Sequence, residues 1–360
     1  MGLRMKKRWV VLLVFLAIGF GLDTVRAQMS ANTPTVLKLD PALDEIISTD
    51  AKLETVKGDF FLFTEGPTWV PQGKNSGYLV FSEMAANEIL KMTMDGQISV
   101  YLDHSGYTGF DIWNHGMDQT NGKKPDDPGY RKFNMPGSNG TALDTQGRLV
   151  FDTWGGRGVD RLEKNGKRVT LTNSVDGKMF NGTNDIVVKK DGAIYFTDGF
   201  GGLRGRDKDP TKGIDYTGLF MWKDGKTSVI IKDLNGANGL ALSADEKYLY
   251  ANGARLVRQY VIRPDDTVDV PNMKVLSDMT ADKLPGITDG MKVDSKGNIY
   301  ESCCGGIWII SPDGKHLGTI FTPELVANLE FGDPDLKSLY ILARTSIYKI
   351  RVNIPGIPGR

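Results

Sequence analysis

One pattern returns six times along the chain: a side-chain oxygen, an alternating apolar run, a Gly- or Asp-rich turn and a second short apolar run. The copies occupy residues 65–83, 139–152, 184–198, 238–252, 289–302 and 328–342. Each is a β-hairpin signature, because turn residues separate runs whose apolar positions recur every second residue. Further strand-like runs follow the copies, for example residues 89–93, 159–162 and 219–222, so each copy predicts a four-stranded sheet. From Asn139 onward the copies start roughly 40 to 55 residues apart, the size of a propeller blade. The expected fold is therefore all-β, a six-bladed β-propeller over residues 55–352, with residues 55–63 joining the last blade to close the ring. A β-sandwich competes, but it does not require a polar residue at the start of each copy. The step from Glu65 to Asn139 is longer, and we assign the excess to an insertion at about residues 104–136, which is rich in Gly, Asp, Asn and Pro.

Lys plus Arg and Asp plus Glu are equal at 44 each. There is no global positive field to attract nucleic acid or an anionic membrane, and a small-molecule partner is expected. Residues 1–8 are basic, residues 9–22 apolar, and Val25-Arg26-Ala27 ends in a small residue. This pattern reads as an export signal over residues 1–27, too short to span a bilayer comfortably. Cleavage near Ala27 predicts a periplasmic or secreted protein with no membrane attachment, a lead-in over 28–54 and a tail over 353–360. Monomer and dimer both remain open. The only cysteines are adjacent, Cys303 and Cys304, so no disulfide framework is available and packing must supply the stability.

In a propeller the inner strands of all blades start at the same end of the central channel. The residues opening the copies, Glu65, Asn139, Asn184, Asn238, Asp289 and Asn328, are therefore expected to form a ring around one mouth. Converging oxygens are costly to desolvate without a partner. A hard cation such as Ca²⁺ accepts carboxylate and amide oxygens in flexible coordination, and a ring without His or Cys argues against softer metals. The competing explanation is local, since Asn-Gly and Asp-Gly are common turn pairs and Asn often caps backbone groups. We expect Glu65, Asn184, Asn238 and Asp289 to hold one divalent cation, calcium-like, with Mg²⁺, Mn²⁺ or Zn²⁺ as substitutes.

Glu65-Gly66-Pro67-x-Trp69, Ser138-Asn139-Gly140, Asn184-Asp185, Asn238-Gly239-Leu240 and Asp289-Gly290-Met291-x-Val293-Asp294 together resemble the senescence marker protein, gluconolactonase and luciferin-regenerating enzyme family. The resemblance runs from about residue 63 to 348. It implies a six-bladed propeller with a divalent cation, usually calcium, at the channel mouth. It also implies Glu65, Asn238 and Asp289 as ligands, Asn184 as a ligand or substrate contact, and Asn139 in the pocket wall. Many members carry a histidine where this chain has Asp152-Thr153-Trp154-Gly155-Gly156-Arg157, and Cys303-Cys304-Gly305-Gly306 also departs from the pattern.

The expected reaction is hydrolysis of a small lactone or ester, with the cation polarising the carbonyl and Asp289 as acid/base; a purely structural ligand role and a nucleophilic role for Asp289 are the alternatives. Trp154, Arg157 and Arg204 follow second strands on the same rim and are substrate-binding candidates, set against surface arginines and a packed aromatic. His115 in the insertion can reach over the pocket or can be a solvated loop histidine. No G-x-S-x-G elbow is present. Two other functions share the same ring: phosphotriester hydrolysis, and non-catalytic binding on a calcium-stabilised propeller. For Cys303-Cys304, free half-buried thiols compete with a vicinal disulfide.

Overall fold

The computed structural model describes residues 35–358, so the proposed export signal lies outside the described residues. Six antiparallel sheets of four or five strands follow in chain order around a central channel as blades, with two further two-stranded hairpins beside them. Blade one contains Thr64–Pro71, Gly77–Glu83, Glu88–Thr93 and Ile98–Asp103. Blades two, three and four begin with Thr141–Leu143, Thr183–Val188 and Leu240–Leu242. Blades five and six begin with Met291–Val293 and Asn328–Gly332. These inner strands touch in sequence, and the last returns to the first. The fold is the expected six-bladed β-propeller.

The ring closes through Glu54–Lys57, which pairs antiparallel with Ser346–Arg351 as the outer strand of blade six. Closure by strands from both ends of the chain leaves no open seam for another chain to pair with. The lead-in also contributes Val36–Lys38 as a fifth strand on blade five, paired with His316–Phe321.

Alternation along the strands explains how the blades pack. In Ile194–Asp198, Ile194 and Phe196 face blade two, whereas Tyr195 faces blade four. In Gly77–Glu83, Leu79 and Phe81 pack toward blade six, and Tyr78 and Val80 toward blade two. Successive side chains point to opposite faces, and here both faces are covered, so second strands read as nearly continuous apolar runs. Each interface between neighbouring blades is one apolar cluster. Tyr300 against Phe331, edge to face at 5.0 Å, belongs to the cluster between blades five and six.

Residues 104–136 contain more regular structure than their composition suggested. A short 3₁₀ turn, Ile112–Asn114, precedes a hairpin of Asp118–Thr120 and Lys132–Asn134. The backbone N–H groups of Gly116 and Met117 donate to the carbonyls of Gly202 and Gly201, which fastens this hairpin across the mouth to a loop of blade three.

Candidate functional site

The glycine after four of the six ring positions explains why the ring can form. A side chain on Gly66 would meet the Asn139 carbonyl at 2.0 Å, on Gly140 the Asn184 carbonyl at 2.7 Å, and on Gly239 the Asp289 carbonyl at 2.2 Å. On Gly290 it would meet the Asn328 side chain at 2.1 Å. The X-Gly pairs are therefore the points of closest approach between neighbouring inner strands, rather than hairpin turns. Blade three has Asp185 at this position instead, and its carboxylate accepts the backbone N–H of Leu240 at 2.9 Å.

A second device holds the ring from behind. Ser82 Oγ donates to the carbonyl of Asn139 at 2.7 Å, Thr197 Oγ1 to that of Asn238 at 2.8 Å, and Asn252 Nδ2 to that of Asp289 at 2.6 Å. In each case the second strand of one blade fixes the backbone of the ring residue in the next. Such supporting bonds set the orientation of the groups that meet a ligand.

Glu65, Asn139, Asn184, Asn238 and Asp289 all line one chamber of about 130 Å³ at the channel mouth. Glu65, Asn139 and Asn184 are buried, while Asn238 and Asp289 are half-buried. Asn328 behaves differently. Its amide turns to Glu65, with Nδ2 donating to Oε2 at 3.1 Å, and its Oδ1 accepts the N–H of Leu329. The six-membered ring read from the sequence thus becomes five chamber-lining residues and one support.

Burial pushes the Glu65 carboxyl up to about 7, against hydrogen bonds from Gly66 and Asn328 that favour the charged form. Burial also holds Asp289 well above the usual carboxylate range, and the Glu65 charge adds to the effect. Close by, Asp152 and Glu301 are raised by the same cause, and Glu330 reaches about 7 despite its 3.2 Å ion pair with Lys292. Asn139 Oδ1 in the chamber wall and Glu301 Oε2 outside it are buried without a hydrogen-bond partner. Orphaned oxygens and carboxyls short of positive charge are what a hard cation relieves. Among the described residues, no three His, Cys, Asp or Glu side chains form a metal cluster; the ring oxygens in the chamber belong to two carboxylates and three amides.

Trp154 lines the chamber, and its indole N–H is buried without an acceptor. The other three substrate-binding candidates lie outside the chamber wall. Arg157, in left-handed backbone at φ 63°, is buried with Nε on the Phe180 carbonyl at 2.6 Å. Arg204 pairs with Asp118 at 2.9 Å and donates to the Trp113 carbonyl, so it anchors the insertion. His115 stacks on Tyr107 with ring centroids 3.4 Å apart. Cys303 and Cys304 are free thiols and fully buried, packed between blades four and five.

The sequence reading missed Arg344. It occupies the turn after the second strand of blade six, lines the chamber and lies over the Phe63 ring at 5.7 Å. Burial lowers its pKa, and the Asp289 and Glu324 charges oppose that shift. The rule that selected Arg157 and Arg204, a basic residue following a second strand, selects Arg344 as well when applied to blade six.

Residues 63–345 match the SMP-30/Gluconolactonase/LRE-like region. A gluconolactonase of Zymomonas mobilis is 31% identical over 331 residues, covering 89% of this chain and 87% of that protein. The structure of a Xanthomonas campestris gluconolactonase superposes with a TM-score of 0.69 at 26% identity, covering 88% of this chain and 94% of that one. A luciferin-regenerating enzyme shares the fold, with a TM-score of 0.60 at 18% identity over 85% of this chain and 98% of that one. With its ring motifs in place on a closed six-bladed propeller, the chain belongs to the SMP-30, gluconolactonase and luciferin-regenerating enzyme-like family.

Proposed function

We propose that this chain is a lactonase that opens a small lactone at the channel mouth, with one divalent, calcium-like cation held by Glu65, Asn184, Asn238 and Asp289. The observation that carries this reading is the convergence of five oxygen side chains from five separate blades on one chamber. When bound, such a cation supplies Lewis-acid polarisation of the lactone carbonyl. Asp289 keeps part of its surface toward the chamber. Its carboxylate accepts the proton of the attacking water and returns it to the departing ring oxygen, which yields a hydroxy acid. Arg344 and the free indole N–H of Trp154 are donors for the oxygen on which negative charge develops. Asn139, with its unpartnered Oδ1, orients water or substrate. The apolar residues around the mouth limit water access, which strengthens these interactions.

The N-terminal pattern supports an exported enzyme, periplasmic or secreted. A pH-stat assay of acid release tests the activity. Turnover on a lactone panel should vanish after chelation and return with Ca²⁺. Turnover of a phosphotriester but of no lactone would reassign the bond that is cleaved.

A further inference from the structure

Above the ring, the chamber wall is apolar. Phe63, Met84, Met135 and Trp154 form one buried cluster there, and Met117 packs against it. Met117 and Met135 come from the two ends of the insertion hairpin and Met84 from the end of blade one's second strand, so three separate segments deliver thioethers to one surface. Methionine gives an adaptable apolar lining.

Five acceptors of the wall are already engaged. Gln119 Oε1 already accepts the N–H of Thr120 at 3.0 Å. The carbonyls of Phe63, Met84 and Met117 accept backbone N–H groups, and that of Gly286 accepts from Arg255. Three donors stand above the ring: the Gln119 amide, the Trp154 indole N–H and the Arg344 guanidinium. A lactone group has only acceptors and suits them. A sugar lactone bears hydroxyls around its ring, whose hydrogens need acceptors, and the engagement of these five wall acceptors disfavours such a substrate.

We propose that the chamber selects lactones that carry an alkyl or aryl substituent and no ring hydroxyls. This rests on the lactonase reading above and names its substrate class. The substituent lies along the methionine wall and leaves past Met117, Trp154 and Ile287, which the chamber shares with an open groove of about 760 Å³. Ile287 is 66% exposed at this junction, an apolar side chain waiting for an apolar partner.

The test compares kcat/KM for δ-valerolactone, δ-nonalactone and glucono-δ-lactone with the calcium-loaded full chain. The alkyl tail should raise kcat/KM by on the order of ten- to a hundred-fold over valerolactone, with gluconolactone the poorest of the three. Ile287→Gln, at an exposed position, and Met117→Gln should each reduce the nonalactone advantage by about ten-fold. A preference for gluconolactone with no gain from the tail would overturn the substrate class and leave the lactonase reading standing. Failure to open any of the three would overturn the lactonase reading, and the substrate class with it.

Discussion

Asn328 donates its side-chain amide to Glu65 at 3.1 Å, across the seam where blade six meets blade one. A residue from the last hairpin thereby aims the carboxylate contributed by the first, and the closure of the ring is coupled to the geometry of the proposed cation site. Removing a support of this kind weakens a metal site without removing a ligand. We predict that Asn328→Ala keeps the circular dichroism spectrum of the wild type and lowers calcium affinity about 10- to 100-fold, measured by calorimetry. Unchanged affinity would show that Glu65 needs no such alignment.

Arg344 is the residue whose replacement should separate binding from turnover. It is a cation near Asp289, so in the proposed reaction its charge would oppose that of a bound metal ion and assist the oxygen that becomes negative. Arg344→Met should reduce kcat by on the order of a hundred-fold. Calcium affinity should stay the same or rise. A parallel loss of calcium affinity and kcat would assign the arginine a purely structural role.

Buried carboxyls set the pH response of the protein without metal. Burial pushes Asp198 and Glu330 each up to about 7. Their folded values therefore exceed the unfolded value of about 4, and folding favours the protonated form. That stability is complete below the unfolded value and falls as pH rises, until it is lost above about 7. In the presence of chelator, Tm should be higher at pH 5 than at pH 8. Asp198→Asn should flatten part of this slope, because its side-chain oxygen can still accept the N–H groups of Asn181 and Gly182. A Tm that increases between those pH values would contradict the assignment.

The fold was legible because six copies repeat the same alternation, and the ring because a side-chain oxygen opens each copy, four of them followed by glycine. The structure gives those glycines a steric reason: neighbouring inner strands approach too closely for a side chain. The rim was less legible. Arg157 and Arg204 are candidates by their position after second strands and His115 by its place in the insertion, but side-chain direction in a loop depends on local backbone and neighbours. A left-handed turn sends Arg157 into the protein, Asp118 draws Arg204 away, and Tyr107 stacks His115. Asn328 matched the ring pattern, yet Glu65 across the closing seam turned it out of the chamber wall. Met84, Met117 and Met135 gave no signal, because isolated apolar residues in separate segments become one wall only after the insertion folds over the mouth.

Calcium titration of chelator-stripped protein by isothermal calorimetry addresses the ring most directly. Wild type should bind one ion per chain, and Glu65→Gln with Asp289→Asn, which retains the shape of both side chains, should abolish that binding while the fold persists by circular dichroism. Absence of binding to the wild type, or undiminished binding to the double variant, would contradict a cation held at the channel mouth by these residues.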